Sequence, residues 1–272
     1  MADSRPAAPQ PLPLAERRDE DLPGHWLLAR LGKRVLRPGG LELTTRLLAA
    51  ARLGGADVVE LGPGLGRTAT DIVAAGPRSY VGVDDTAAAT ENVRAVVAPI
   101  GGSVVVANAA KTGLPADSAD VVIGEAMLTM QGDKAKRAIV AEAFRVLRPG
   151  GRYAIHELGL TPDDIDQDAK DEIRRDMSRA IKVNARPLTT AEWTQLLTDA
   201  GFEVATVDHA PMALLNPARV LADEGPLGVL CIVGNLIRRP GARRRVIGMR
   251  RTFGRYRDKL TAVAVVGVVP QP

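Results

Sequence analysis

Short aliphatic runs alternate with longer stretches of helical periodicity through the first 160 residues. Val58–Leu61, Tyr80–Val83, Val104–Ala107, Val121–Ile123 and Tyr153–His156 are too short for helices and read as strands. Between them, "TATDIVAAG", "AAATENVRAVVAPI" and "DKAKRAIVAEAFRVL" repeat apolar residues every three or four positions, as helices with one buried face do. Two more helices are expected ahead of the first strand, over 24–36 and 41–53. The second places Leu43, Leu47 and Leu48 on one side and stops at Gly54-Gly55. Strand, helix, strand at this spacing predicts a parallel sheet with helices on both faces. Its strand ends gather on one edge, where ligands bind.

After residue 160 the pattern changes. "TPDDIDQDAKDEIRRDMSRAIKV" reads as a polar helix, and "LTTAEWTQLLTDAG" opens on a capping box from Thr189 to Glu192. A strand is expected at Phe202–Val207 and a last one at Ala262–Val269, separated by a long excursion. "LRPGG" occurs twice, at 36–40 and 147–151, with unrelated flanks. The second copy ends a helix with a Pro-Gly-Gly turn.

Composition narrows the class. With 272 residues, 46% hydrophobic and 3% aromatic, the chain can bury an aliphatic core without staples. Cys231 is the single cysteine, which excludes a disulfide framework or a cysteine-based zinc site and suits a reducing cytoplasm. No metal-ligand spacing is present. Residues 1–22, rich in proline and charge and lacking an apolar h-region, read as a disordered leader rather than a signal peptide. The longest apolar candidate, 226–237, is too short to span a bilayer.

"ADVVELGPGLGRTA" (56–69) carries the chemistry. A dinucleotide turn needs Gly-x-Gly-x-x-Gly, but here Arg67 fills the third slot and the pattern is Glu60-x-Gly62-x-Gly64-x-Gly66. A pyrophosphate wants helix-terminal N–H groups and no nearby acid. A carboxylate at the strand end suits a cationic ligand instead. S-adenosyl-L-methionine carries a sulfonium and an ammonium, and glycines let its amino-acid arm lie against bare backbone.

Four stretches in order resemble the class I S-adenosylmethionine-dependent methyltransferases: "VVELGPGLG" (58–66), "YVGVDDT" (80–86), "VVVANAAKTGLPADSADVVI" (104–123) and "AEAFRVLRPGGRYAIHE" (141–157). The resemblance to this family covers 56–157. It also suggests an uncharacterised bacterial branch with small or lipophilic acceptors. It implies an α/β, Rossmann-like fold: a seven-stranded, mostly parallel sheet with helices on both faces, the last strand antiparallel and inserted beside the fifth. A methyltransferase domain over 54–272 would carry helical insertions at 158–190 and 216–259, and 23–53 would form an N-terminal helical lid.

The resemblance also implies the cofactor residues. They are Glu60, Gly62, Pro63, Gly64 and Gly66 in the loop; Asp84, with Asp85 as the alternative, on the ribose; Asn108 and Ala109 at the adenine; and Glu125 beside the methionine arm. Asn108 departs from the aspartate usual there, although an amide can still reach the adenine amino group. His156 and Glu157 are the candidates for a base or acceptor contact. By strand alternation His156 can instead face a helix. Met127 and Met130 either line an acceptor pocket or belong to the core. The expected reaction is in-line methyl transfer to a small or lipophilic acceptor, in which the protein aligns and desolvates the partners. The rival readings are a non-catalytic S-adenosylmethionine-binding sensor or partner subunit, and a dehydrogenase, which Glu60 and Arg67 disfavour.

Charge bears on the excursion at 216–259. The net charge is +4 and the pI about 9.4, with many arginines late in the chain. Asn216-Pro217 starts a helix and Gly225-Pro226 breaks it. "RRPGARRRVIGMRRTFGRYRDK" then sets Val246, Met249, Phe253, Tyr256 and Leu260 at helical spacing among arginines. Three readings stay open. The helix packs on the sheet with a solvated arginine face; or 238–259 contacts an anionic membrane peripherally, with the apolar 226–237 segment giving access to a lipid-like acceptor; or it binds nucleic acid, disfavoured because stacking aromatics are nearly absent.

Overall fold

The computed structural model describes residue 12 and residues 14–271. The five aliphatic runs become β1 (Asp57–Leu61), β2 (Ser79–Asp84), β3 (Ser103–Val106), β4 (Ala119–Glu125) and β5 (Leu147–Leu160). Later come β6 (Leu188–Thr189), β7 (Glu203–Pro211) and β8 (Leu260–Val268). The sheet order is β3-β2-β1-β4-β5-β8-β7, with β6 attached to β5. Pairs from β3 through β5 are parallel, and β8 runs antiparallel to both β5 and β7. The expected α/β sheet is present, with the last strand inserted beside the fifth. The two-residue β6 is additional and too short to leave a periodic signal. Strand order reverses between β1 and β4, so their carboxyl ends border the crevice where ligands bind in such sheets.

Nine helices surround this sheet among the described residues: α1 (Gly24–Arg30), α2 (Gly40–Ala51), α3 (Arg67–Ala74), α4 (Ala87–Val97), α5 (Asp133–Val146), α6 (Gln167–Ile181), α7 (Thr190–Thr198), α8 (Pro217–Arg238) and α9 (Pro240–Arg255). Alternate strand residues serve opposite faces. Val58 and Val121 pack with Leu43 and Leu47 of α2 and Ile72 of α3. Val59 and Val122 pack with Ile139 of α5 and Trp193 of α7. A third cluster joins Leu27 and Leu28 of α1, Ile173 and Met177 of α6, and Met249 and Phe253 of α9 to Leu158 and Leu160 at the end of β5. This third cluster roofs the ligand edge of the sheet.

Three expectations need correction. The first helix stops at Arg30 rather than 36, because Gly32 takes φ +102° and Pro38 follows. The lid assigned to 23–53 divides: 24–38 roofs the strand ends, whereas α2 is a layer of the sheet. Of the leader, residues 1–11 and 13 lie outside the described residues, but 14–22 is folded onto the body. The Arg30 guanidinium donates to the carbonyls of Leu14 (2.9 Å), Ala15 (2.8 Å) and Arg17 (2.6 Å), and Leu22 is fully buried.

Candidate active site

The glycine loop leaves β1 and turns back into α3. Gly62 and Gly64 hold φ +65° and +55°, a left-handed region costly to residues with a Cβ. A Cβ on Gly62 would sit 3.5 Å from Met127, so the loop lies close under the segment after β4. The Gly64 N–H donates to Asp84 Oδ2 (3.2 Å), and the Thr86 N–H donates to Asp84 Oδ1 (2.9 Å). Asp84 is thereby held at the end of β2, and burial raises its pKa. Asp85 is exposed and accepts from the Thr86 hydroxyl at 3.1 Å.

Two buried acids stand at the ends of β1 and β4, and their surroundings drive them apart. Glu60 is pushed up to about 8, by burial first; the hydrogen bond donated by the Tyr80 hydroxyl (2.6 Å) opposes this, and the negative charge of Glu125 adds to it. Burial would raise Glu125 as well. There Arg37, His156 and Thr44 prevail and hold it down at about 2. Arg37 Nε lies 3.1 Å from Glu125 Oε2, and the hydroxyls of Thr44 and Thr68 each donate to this carboxylate at 2.6 Å. One acid thus keeps its proton at neutral pH while the other is ionised.

Neither proposed base lines the cavity. His156 is fully buried and faces α2, the alternative that strand alternation left open. Its Nε2 accepts the Gly39 N–H at 3.0 Å, which assigns the proton to Nδ1, 2.9 Å from Glu125 Oε1. Glu157 is equally buried. Its carboxylate accepts the N–H groups of Met127 (3.0 Å), Leu128 (2.7 Å) and Thr129 (2.9 Å), and the Thr129 hydroxyl at 2.7 Å. Both residues fix the walls of the site, and the expectation that they touch an acceptor is corrected on that ground.

The remaining residues read from the sequence meet around one cavity of about 500 Å³. Glu60, Gly62, Pro63, Gly64, Asp84, Asp85, Asn108, Ala109, Glu125, Met127 and Met130 all line it, whereas Gly66 does not. The Asn108 side-chain oxygen is already engaged by the Ala110 N–H at 2.8 Å, which leaves its amino group for a ligand. This polar half continues into an apolar half lined by Trp26, Leu158, Met177, Met212, Met249 and Phe253.

Arg37 and His25 are two of the lining residues that the sequence alone does not assign to the site. Arg37 lies in the first "LRPGG" copy, whose repetition was visible without its purpose. It is buried, donates to the Thr68 hydroxyl at 2.6 Å, and its Nη1 faces Asp71 Oδ2 at 3.9 Å, too far for a hydrogen bond. His25 was hidden inside a helix prediction. Its ring meets that of Trp26 at a tilt, with centroids 4.7 Å apart, and neither ring nitrogen has a hydrogen-bond partner among the described residues. Burial lowers its pKa to about 4, so the imidazole is neutral at pH 7. Its neighbour Gly24 lies against Met249 and Ile181, which places His25 beside the apolar half.

The chain is similar to known proteins in sequence and in fold. A family model described as a methyltransferase domain matches residues 59–155. An uncharacterised protein of Haemophilus influenzae is 35% identical over 251 residues, which span 90% of this chain and 98% of that one. A protein of Mycolicibacterium smegmatis named a probable S-adenosylmethionine-dependent methyltransferase is 35% identical over 158 residues, 57% of this chain and 55% of that one. Among solved structures, Haemonchus contortus phosphoethanolamine N-methyltransferase 2 in complex with S-adenosyl-L-methionine superposes with a TM-score of 0.65 at 15% identity. The match covers 95% of this chain and 59% of that chain, a likeness of fold alone.

Proposed function

The chain belongs to the class I S-adenosylmethionine-dependent methyltransferases, and from that premise we propose that it methylates a small, lipophilic acceptor held in the apolar half of its cavity. The observation that carries the proposal is the division of one cavity into an acid-lined half at the ends of β1, β2 and β4 and an apolar half roofed by α1, α6 and α9.

The residues present fit the cofactor. Glu60 is a buried acid held protonated for want of a cation, and an ammonium would supply one. The glycine loop offers bare backbone beneath Met127, and Asp84 keeps acceptor capacity for hydroxyl groups beyond its two backbone bonds. When bound, S-adenosylmethionine supplies a methyl group already activated on sulfonium. The chain's own work is alignment and exclusion of water. Met177, Met249 and Phe253 desolvate the acceptor. His25 orients it through a neutral imidazole nitrogen, and a pKa near 4 suits hydrogen bonding better than proton abstraction.

The test is calorimetry with S-adenosylmethionine, S-adenosylhomocysteine and NAD, followed by S-adenosylhomocysteine release in the presence of lipophilic phenols and amines. Binding of the first two without NAD, and release that depends on an acceptor, are expected. Cofactor binding with no turnover across the acceptor panel would favour the sensor reading. NAD binding alone would overturn both.

A further inference from the structure

We propose that the outward face of α8 docks on anionic lipid, with the arginines that follow it reading the headgroups. The sequence places membrane contact on the basic 238–259 stretch, with the apolar 226–237 segment giving access to a lipid-like acceptor, but the apolar stripe of α9 is spent inside the molecule: Met249, Phe253 and Tyr256 are buried. The free apolar surface lies on α8. Leu227, Leu230 and Ile237 are 81%, 67% and 68% exposed, and Leu221 and Val233 are also exposed. Scattered exposed leucines need no account, but a run of them along one helix marks an interaction surface.

Charge selects the occupant. The acids near the start of α8 are turned inward. Glu224 accepts the N–H groups of Arg34 (2.9 Å) and Val35 (2.8 Å) and pairs with Lys33, and Asp223 accepts the Leu41 N–H at 3.2 Å. From Gly225 to Ile237 the helix carries no charge. Arg238, Arg239, Arg243 and Arg244 follow. Arg239 pairs with Asp19 and Arg244 with Glu20, whereas Arg238 and Arg243 have no ion-pair partner among the described residues. An apolar face edged by arginines, two of them without an ion-pair partner among the described residues, complements anionic lipid, into which the leucines insert while the guanidinium groups stay at the phosphates.

The helix lies on the surface rather than across it. By length and composition alone α8 could cross a bilayer, and none of its apolar window is buried. However, Gly225 breaks the helical geometry, with φ 70° and ψ 172°. Residues 226–238 then span about 20 Å, short of the roughly 30 Å hydrocarbon core. The inner face is also tied down, since the Asn235 amide donates to the Leu31 carbonyl at 3.0 Å. Met212, just before α8, and Met249 and Phe253 of α9 line the apolar half of the cavity, so docking would set that half beside a reservoir of lipophilic acceptors. This last link rests on the proposed function, whereas the docking itself does not.

The experiment is flotation of the full chain with phosphatidylglycerol/phosphatidylcholine vesicles and with pure phosphatidylcholine vesicles. Partition onto the anionic vesicles, weakened by added salt, is expected. Leu227→Glu/Leu230→Glu should lower it at least about tenfold, with the thermal midpoint unchanged because both side chains are exposed. Arg238→Glu/Arg243→Glu should lower it on anionic vesicles only. Absence of partition by the parent chain, or equal partition by the leucine variant, overturns the proposal. So does a dimer that the leucine variant dissociates in the absence of any vesicle binding, which would assign the face to a second copy of this chain.

Discussion

Glu60 and Asp84 were legible from local sequence because a loop fixes its own backbone and the strand before it fixes the acid. His156 and Glu157 were not, because alternation states which face a side chain takes and not what covers that face. The covers are Gly39 with Thr44 on one side and the 127–129 turn on the other. Glu60 makes a prediction of its own. Its raised pKa favours the folded state below about pH 4.5, and that contribution is lost as pH rises through about 8. A bound cation replaces the proton. Binding of S-adenosylmethionine at pH 7 should therefore release up to about one proton, read from the dependence of calorimetric enthalpy on buffer ionisation enthalpy. Glu60→Gln should remove the release, and equal release from the variant would separate Glu60 from the cofactor's ammonium. His25→Ala should lower turnover about tenfold, the worth of one hydrogen bond to the acceptor, and leave cofactor affinity unchanged. A matching loss of affinity would place His25 on the cofactor instead.

Elements show how one short string serves two ends. In the second "LRPGG" copy Arg148 pairs with Asp120 at 2.7 Å on the rim of the sheet opposite the site. In the first, Arg37 carries the 31–39 segment into the site and neutralises Glu125. Only the packing of α2 against β5 distinguishes them, so the sequence offered the repeat without its meaning. By contrast the capping box of α7 was legible and formed as expected, since Thr189 and Glu192 satisfy each other's backbone within one turn. Arg37→Met leaves Glu125 buried without its cation and should cost about 3–5 kcal/mol, the typical penalty for breaking a buried pair from one side. The depressed pKa of Glu125 contributes stability that is fully present above about pH 4.5 and lost as pH falls toward about 2. Urea unfolding at about pH 3 and about pH 6 should show that dependence in the parent and a flatter one in Arg37→Met. An unchanged slope would mean that the hydroxyls and His156 hold Glu125 ionised without Arg37.

At the scale of the whole molecule the sheet was readable because every strand and layer helix obeys its own period. The roof was not, because it assembles from distant pieces: 14–22, α1, α6 and α9 meet only in three dimensions. The leader contributes partly through Asp19, which pairs with Arg30 and Arg239, and partly through backbone carbonyls, which carry no sequence signal. Arg30 holds three of them, and Arg245 of α9 takes those of Asp19 (2.9 Å) and Leu22. The leader thus straps α1 to α9 across the apolar half of the cavity, with Leu22 as its buried anchor. Leu22→Ala should cost about 2–5 kcal/mol, the range for emptying a core leucine, if the strap is part of the fold. Arg30→Ala keeps that anchor and frees the carbonyls. Its expected effect is therefore local: faster tryptic cleavage at Arg17 and Arg18, with a small change in the unfolding midpoint. Equal cleavage rates in the parent and Arg30→Ala would show that Leu22, Arg245 and the ion pairs of Asp19 and Glu20 with α9 and the residue before it fasten the strap without Arg30. Small stability losses from Leu22→Ala would show that the roof closes without it, leaving α1, α6 and α9 to shield the acceptor.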